Sequence, residues 1–317
     1  MQARKRVALN TGNFIFQNDI NNNLGNNFKT ALKMKKLFFL LFIFTIIINI
    51  SGQTSMTNPS KAVADTKTIV FIHGLFQNPL AWVEWKKYFE TKGYTCYTPA
   101  YPYHDGNPAV LRKKSDLKLA TLTFGEVIDS LVIFIDKLPE KPILIGHSMG
   151  GLAVQKLIAM DKGVAGVCID AAPPKGIFSL KWSFLKANLP TVNPLKGNSV
   201  CLPTVKWFHY AFCNEMTMEQ TEIEFNKFVV PESRNIPRSS TKKDGYIDFK
   251  KPHSPLLFIA GEKDHIIPST LNRKNFNAYK DSNSRKDFKE FAGRTHYICG
   301  QQNWQEIADY ILSWIKM

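Results

Sequence analysis

The chain has 317 residues, an apolar fraction of 44% and a formal charge of +15. That length holds one large domain or two small ones, and the apolar content suits a globular core rather than a fibrous or disordered chain. Of the excess charge, +6 falls in residues 1–52 and +9 is scattered singly or in pairs over the rest; with no basic helix and no RNA-binding signature, a solvated basic surface is expected and no nucleic-acid partner.

Residues 1–33 carry eight asparagines from Asn10 to Asn27 and no sustained apolar period, so no packed fold is expected there. Met34-Lys35-Lys36 then precedes an apolar run over 37–50, broken by Thr45 and Asn49 and followed by Ser51-Gly52-Gln53. A basic start, a short apolar stretch and small residues beyond it have the form of a secretory signal over 34–52. The run is 14 residues long, short of the ~20 that span a bilayer. Export, periplasmic or secreted, is therefore expected, with membrane anchoring by 37–50 as the alternative if the segment stays uncleaved. The signal is complete when started at Met34, so 1–33 reads as an over-extended start or a disordered extension.

Next come the elements of the body. Thr68-Ile69-Val70-Phe71-Ile72 is a continuous apolar strand ending in His73-Gly74-Leu75-Phe76. Asn78-Pro79 reads as a helix cap and first residue, and Trp82, Trp85, Tyr88 and Phe89 follow at helical spacing. A strand over 94–98 leads into a Pro/Tyr loop, 99–108. A helix over 124–138 carries Val127, Ile128, Leu131, Val132 and Ile135. The 142–145 strand runs into Gly146-His147-Ser148-Met149-Gly150-Gly151, and Leu152 to Ile158 has the apolar positions of a helix. Strands over 164–169, 256–260 and 287–291 and a terminal helix marked by Trp304, Ile307, Ala308, Ile311 and Ile315 complete the pattern. Strands alternating with helices imply a parallel sheet covered on both faces. The rhythm breaks over 173–251, which is rich in aromatic residues and prolines; a structureless loop of that length is implausible.

Strand, G-x-S-x-G and helix together make a nucleophile elbow: the serine stands on a strained turn, and glycines two residues away let strand and helix approach. Gly261-Glu262-Lys263-Asp264-His265 follows a later strand, and Gly293-Arg294-Thr295-His296 follows the last. Ser, Asp, His in that order resembles the α/β-hydrolase superfamily, from about residue 67 to the C-terminus. The resemblance implies an α/β-hydrolase core over 53–172 and 252–317 and a mostly helical lid over 173–251. That family's sheet usually opens with two further strands, and only 53–66 are available for them, so about six strands are expected.

The resemblance implies that Ser148 is the nucleophile, His296 its base and Asp264 the orienting acid. Gly261-x-x-Asp264-x-Ile266-x-Pro268 matches the usual acid loop; Asp170 is the rival acid, since some relatives carry theirs after the preceding strand. His73 and His147 are structural in the family, and His265 is expected beside the acid without acting. The oxyanion hole is expected to use the backbone N–H groups of Met149 and Leu75, with Phe76 left open as an alternative to Leu75. Dehalogenases and epoxide hydrolases of this fold use an aspartate at the elbow, which Ser148 excludes. Hydrolysis of a small apolar carboxylic ester through an acyl-enzyme is expected, without a cofactor or metal. Perhydrolase or haloperoxidase-like, thioesterase or amidase chemistry on the same triad, or a ligand-binding relative without turnover, is the alternative. Export permits disulfides; of five cysteines, Cys96 and Cys168 are expected as buried thiols, Cys201 and Cys213 as candidates to pair, and Cys299 as the odd one.

Overall fold

The computed structural model describes residues 66–317; the expectations for 1–33 and for the signal segment 34–52 lie outside the described residues. In chain order the elements are β1 (Thr68–Ile72), α1 (Val83–Glu90), β2 (Thr95–Tyr97), α2 (Pro108–Lys113), α3 (Phe124–Ile135), β3 (Ile143–His147), α4 (Met149–Ala159) and β4 (Ala165–Ile169). An insert follows, with α5 (Trp182–Val192), β5 (Val200–Cys201), α6 (Val205–Ala211), α7 (Met218–Phe228), β6 (Glu232–Ser233) and α8 (Asn235–Ser240). The chain then returns through β7 (Leu256–Gly261), α9 (Ser269–Ala278), β8 (Lys286–Phe291) and α10 (Gln305–Lys316).

The six long-range strands form one parallel sheet in the order β2-β1-β3-β4-β7-β8. β1, β3 and β4 are buried along their whole length, as continuous apolar runs require of strands covered on both faces. Their residues alternate between two cores. Val70, Ile72 and Leu144 face α3, α4 and the insert. Ile69, Phe71, Ile143 and Ile145 face α1 and α10, where Trp82, Trp85 and Phe89 meet Ile307, Ile311 and Trp314. The sheet is wound outward in both directions from the gap between β1 and β3, and the crevice at the carboxyl ends of those strands is where such sheets bind ligands.

Local signals explain most boundaries. Asn78 accepts from the Leu80 N–H ahead of Pro79, though the first turn is 3-10 and α1 proper begins at Val83. The helix predicted over 124–138 ends earlier, at Ile135. Its start carries a capping box, Thr123 with Glu126. Helix α9 has no counterpart in the predicted elements. It presents few apolar positions, and its inner face instead buries the amides of Asn272 and Asn275. All five cysteines are free thiols, Cys201 and Cys213 included. Among the described residues no helix is long and apolar enough to cross a membrane.

Candidate active site

The turn from β3 into α4 sets Ser148 at φ 57°, ψ −119°, a conformation sparsely populated by non-glycine residues. It is held from both sides, since the Ser148 N–H donates to the Ile169 carbonyl and the Ala172 N–H to the Ser148 carbonyl, each at 2.9 Å. The glycines permit the crossing. A Cβ on Gly150 would lie 2.1 Å from the Ile72 carbonyl oxygen, and one on Gly146 would lie 2.2 Å from that of Gly150. The amino end of α4 thus begins at the serine, with its free N–H groups and partial positive charge beside it.

Three loops bring together the residues that sequence order had suggested. His296 Nε2 lies 2.9 Å from Ser148 Oγ, and His296 Nδ1 lies 2.7 Å from Asp264 Oδ2. The Asp264 carboxylate can only accept from Nδ1–H, which leaves Nε2 as the acceptor for the serine hydroxyl. Asp264 Oδ1 accepts the N–H groups of Ile266 and Ile267, both at 2.8 Å. Burial lowers the His296 pKa from 6.5 to about 3, so the imidazole is neutral and able to take a proton. His147 Nε2 lies 2.8 Å from the His296 carbonyl and holds the backbone of the base.

Asp170 is not the acid facing His296 Nδ1, yet it adjoins the site. Its Oδ1 accepts the Gly261 N–H at 2.8 Å, and its other oxygen is buried towards Asp264. Burial raises its pKa well above 3.8, and the Asp264 charge raises it further. Burial raises Asp264 as well. Burial thus disfavours a charge on both carboxyls at once. The donors favour the charge on Asp264, which accepts from Ile266, Ile267 and His296 while Asp170 accepts from Gly261. His147, Asp170 and His296 bring ligand-type atoms within 4.8 Å of one another. Their histidine nitrogens are committed to hydrogen bonds, so the cluster is a hydrogen-bonded array and not a metal site. His265 points away from the triad, its Nδ1 donating to the Tyr210 carbonyl at 2.9 Å.

The turn after β1 lies against Ser148: a Cβ on Gly74 would sit 2.8 Å from Ser148 Cβ and 3.4 Å from its Oγ. The Gly74 N–H donates to Gln77 Oε1 at 3.3 Å, and the Phe76 N–H to Glu232 Oε2 at 3.3 Å. The amides of Leu75 and Met149 find no protein acceptor among the described residues. The N–H of Phe76, the alternative to Leu75, is thus engaged by the insert. His73 Nε2 accepts the Tyr101 N–H at 3.2 Å while its Nδ1 donates to the Gly74 carbonyl. Burial, with His104 beside it, lowers its pKa to about 3.

The insert closes over these loops. Phe212 sets its ring edge-on to His296, centroids 4.7 Å apart, and Trp207 bridges Phe212 and Phe76. Ser148 is 6% exposed and His296 0%. The Tyr297 N–H donates to the Phe212 carbonyl at 3.0 Å, and Asn214 and Asn188 donate to carbonyls at Lys263 and Ile266. Sequence reasoning missed one element of this cover, the buried His104–Glu232 pair, 3.1 Å apart. His104 lay in a loop and Glu232 in a proline-rich stretch, and no motif marks either.

The alpha/beta hydrolase family model matches residues 69–310, and the chain belongs to that family. Similar solved structures include the monoacylglycerol lipase of Paleococcus ferrophilus, at 21% identity over 78% of this chain and 93% of that one, TM-score 0.57. An extracellular alpha/beta-hydrolase from a Paenibacillus species, described as sharing structural and functional homology with tobacco salicylic acid binding protein 2, matches at 22% identity over 78% and 98%, TM-score 0.59. A methylesterase from Arabidopsis matches at 15% over 78% and 98%, TM-score 0.56. At these identities the likeness carries the fold. No curated protein matches the sequence.

Proposed function

We propose that this hydrolase is an exported serine esterase that cleaves small, apolar carboxylic esters through an acyl-enzyme on Ser148. The observation that carries this reading is the unbroken relay from Ser148 Oγ to His296 (2.9 Å) to Asp264 (2.7 Å), with the base neutral. Ser148 Oγ attacks the ester carbonyl as its proton passes to His296 Nε2. The anionic Asp264 stabilises the imidazolium that forms. The oxygen of the tetrahedral adduct is received by the Leu75 and Met149 N–H groups. His296 then returns the proton to the leaving alcohol, and water repeats the sequence to release the acid. Trp207, Phe212 and Phe76 give the cover an apolar, aromatic surface, which favours an uncharged acyl group. Esterase and lipase names among the similar structures agree with this reading. Export rests on the form of residues 34–52.

The test is p-nitrophenyl ester turnover across acyl chain lengths, with protein starting at Gln53 and with Ser148→Ala and His296→Ala. Turnover by the wild type and background rates in both variants are expected, and the chain-length optimum sizes the pocket. A wild type inert to every ester that still reacts with a fluorophosphonate at Ser148 would redirect the search to amides, thioesters or ligand binding.

A further inference from the structure

Phe76 has φ 62°, a left-handed conformation that a bulky side chain adopts at a cost and keeps where its surroundings over-determine it. Those surroundings come from the insert. The Val230 N–H donates to the Phe76 carbonyl at 3.0 Å, the Phe76 N–H donates to Glu232 Oε2 at 3.3 Å, and the Phe76 ring meets Trp207 edge-on with centroids 5.3 Å apart. Both backbone groups of the residue following Leu75 are therefore fixed by the short stretch 230–232. The Phe76 N–H and the Leu75 carbonyl share one peptide plane, so gripping Phe76 holds the carboxyl side of Leu75, one φ/ψ pair from the plane that carries the Leu75 N–H; that N–H is left without a protein acceptor among the described residues.

Glu232 is built for this position. It is 1% exposed, and its two oxygens take three donors: Phe76 N–H on Oε2, and Ser233 N–H (2.7 Å) and His104 Nε2–H (3.1 Å) on Oε1. His104 Nδ1 faces the Pro102 carbonyl at 2.9 Å. Both ring nitrogens thus face acceptors, an arrangement that favours the doubly protonated ring. Burial, the largest single influence, opposes that charge, but the Glu232 charge and hydrogen bond together with the Pro102 carbonyl leave the His104 pKa raised. The charge matters to chemistry next door. A bare carboxylate beside the oxyanion turn would repel the negative oxygen of a tetrahedral adduct, and His104 offsets it within the same pocket.

We propose that Glu232, neutralised by His104, is a positioning residue that lets the insert set the geometry of the oxyanion turn through Phe76. The inference rests on the esterase reading and adds a dependence of the oxyanion hole on a residue about 84 positions from the nucleophile in sequence. Seating of the insert and assembly of the hole then become one event: displacing 230–232 frees Phe76 to leave its left-handed state.

The experiment compares wild type with Glu232→Gln and Glu232→Leu. Glutamine turns one acceptor oxygen into a donor facing a donor, and leucine removes both acceptors. Readouts are kcat and KM on a p-nitrophenyl ester, the rate of Ser148 labelling by a fluorophosphonate, and inhibition by a trifluoromethyl ketone against the matching methyl ketone. The trifluoromethyl ketone forms a hemiketal whose oxygen needs the hole, and the methyl ketone reports ground-state binding. A drop in kcat on the order of 10- to 100-fold with KM nearly unchanged is expected, with trifluoromethyl ketone affinity falling in parallel and methyl ketone affinity constant. Variants that keep the wild-type circular dichroism and also the wild-type kcat and trifluoromethyl ketone affinity overturn the proposal, as does an equal loss of affinity for both ketones. If Glu232→Leu does not fold, Glu232→Gln decides. A wild type that neither turns over esters nor takes the fluorophosphonate overturns the esterase reading instead.

Discussion

At the scale of single residues, the protonation states of the site follow from burial and from the count of donors each oxygen meets. His296 is fully enclosed and neutral, its pKa lowered to about 3 by burial. Since the base must be unprotonated to accept the serine proton, kcat/KM should remain flat as pH falls through 6.5 and decline only well below it. A pH–rate profile of the free enzyme checks this; an acid limb near 6.5 would mean that His296 is solvated before substrate arrives. Asp170 supplies a second test. Its folded pKa is raised, by burial first, so the folded protein holds a proton that the unfolded chain releases above its ordinary value of 3.8. Wild-type stability is therefore lost relative to Asp170→Asn as pH rises from about 4, and the difference in Tm should grow across that range. Asparagine keeps an acceptor for the Gly261 N–H and a donor towards Asp264, so activity should stay within about threefold, whereas an acid working at position 170 would be lost.

At the scale of elements, α1, α3, α4 and α10 announce themselves by apolar spacing, whereas α2, α9 and the helices of the insert depend on partners distant in sequence. Arg112, near the end of α2, donates to the carbonyls of Val229 (2.7 Å), Phe225 (3.4 Å) and Asn226 (3.2 Å), the last turn of α7. A cation at a helix carboxyl end satisfies orphan carbonyls and complements the dipole. Arg112→Met should destabilise the protein by roughly 1–2 kcal/mol, read as a lowered midpoint in urea, and should increase amide exchange in 218–230. The strand segment that grips Phe76 begins where α7 ends, so the same variant should also slow Ser148 labelling slightly. Helix α9 shows the limit of pattern reading. Asn272 Oδ1 accepts the Ala171 N–H at 3.0 Å and joins the loop after β4 to the acid loop. In the sequence it looks like a surface residue.

At the scale of the whole molecule, three buried histidines make the fold sensitive to acid. His73 and His296 have pKa values lowered to about 3, and that of His147 is lowered well below 6.5, in each case mainly by burial. Below pH 6.5 the unfolded chain takes up protons that the folded protein refuses, so stability is lost as pH falls from 6.5 towards 3. The slope is roughly 1.4 kcal/mol per pH unit for each histidine fully engaged. Thermal melts between pH 7 and 4 should show it, with Tm falling steadily on the acid side. A Tm independent of pH in that window would contradict neutral burial of the three rings.

The sequence by itself determined the core sheet and the order of its chemistry. Continuous apolar runs such as 68–72 and 143–145 specify covered parallel strands. The Gly146-x-Ser148-x-Gly150 turn fixes where Ser148 stands, because other residues at the two glycines would collide with the backbone of Ile72 and Gly150. Asp264 and His296 were legible through the glycine turns that follow their strands. Only the tertiary structure decided how those residues are used. That Asp264 accepts from His296 while the Asp170 pKa is raised depends on burial and on donors contributed by distant loops. That the Phe76 N–H is engaged depends on Glu232, and Glu232 is held by His104, 128 positions earlier in the chain. Periodicity and motifs report what a residue does among its neighbours in sequence. Charge pairing and backbone clamps are set by which surfaces packing brings together, and that information resides in the assembled fold.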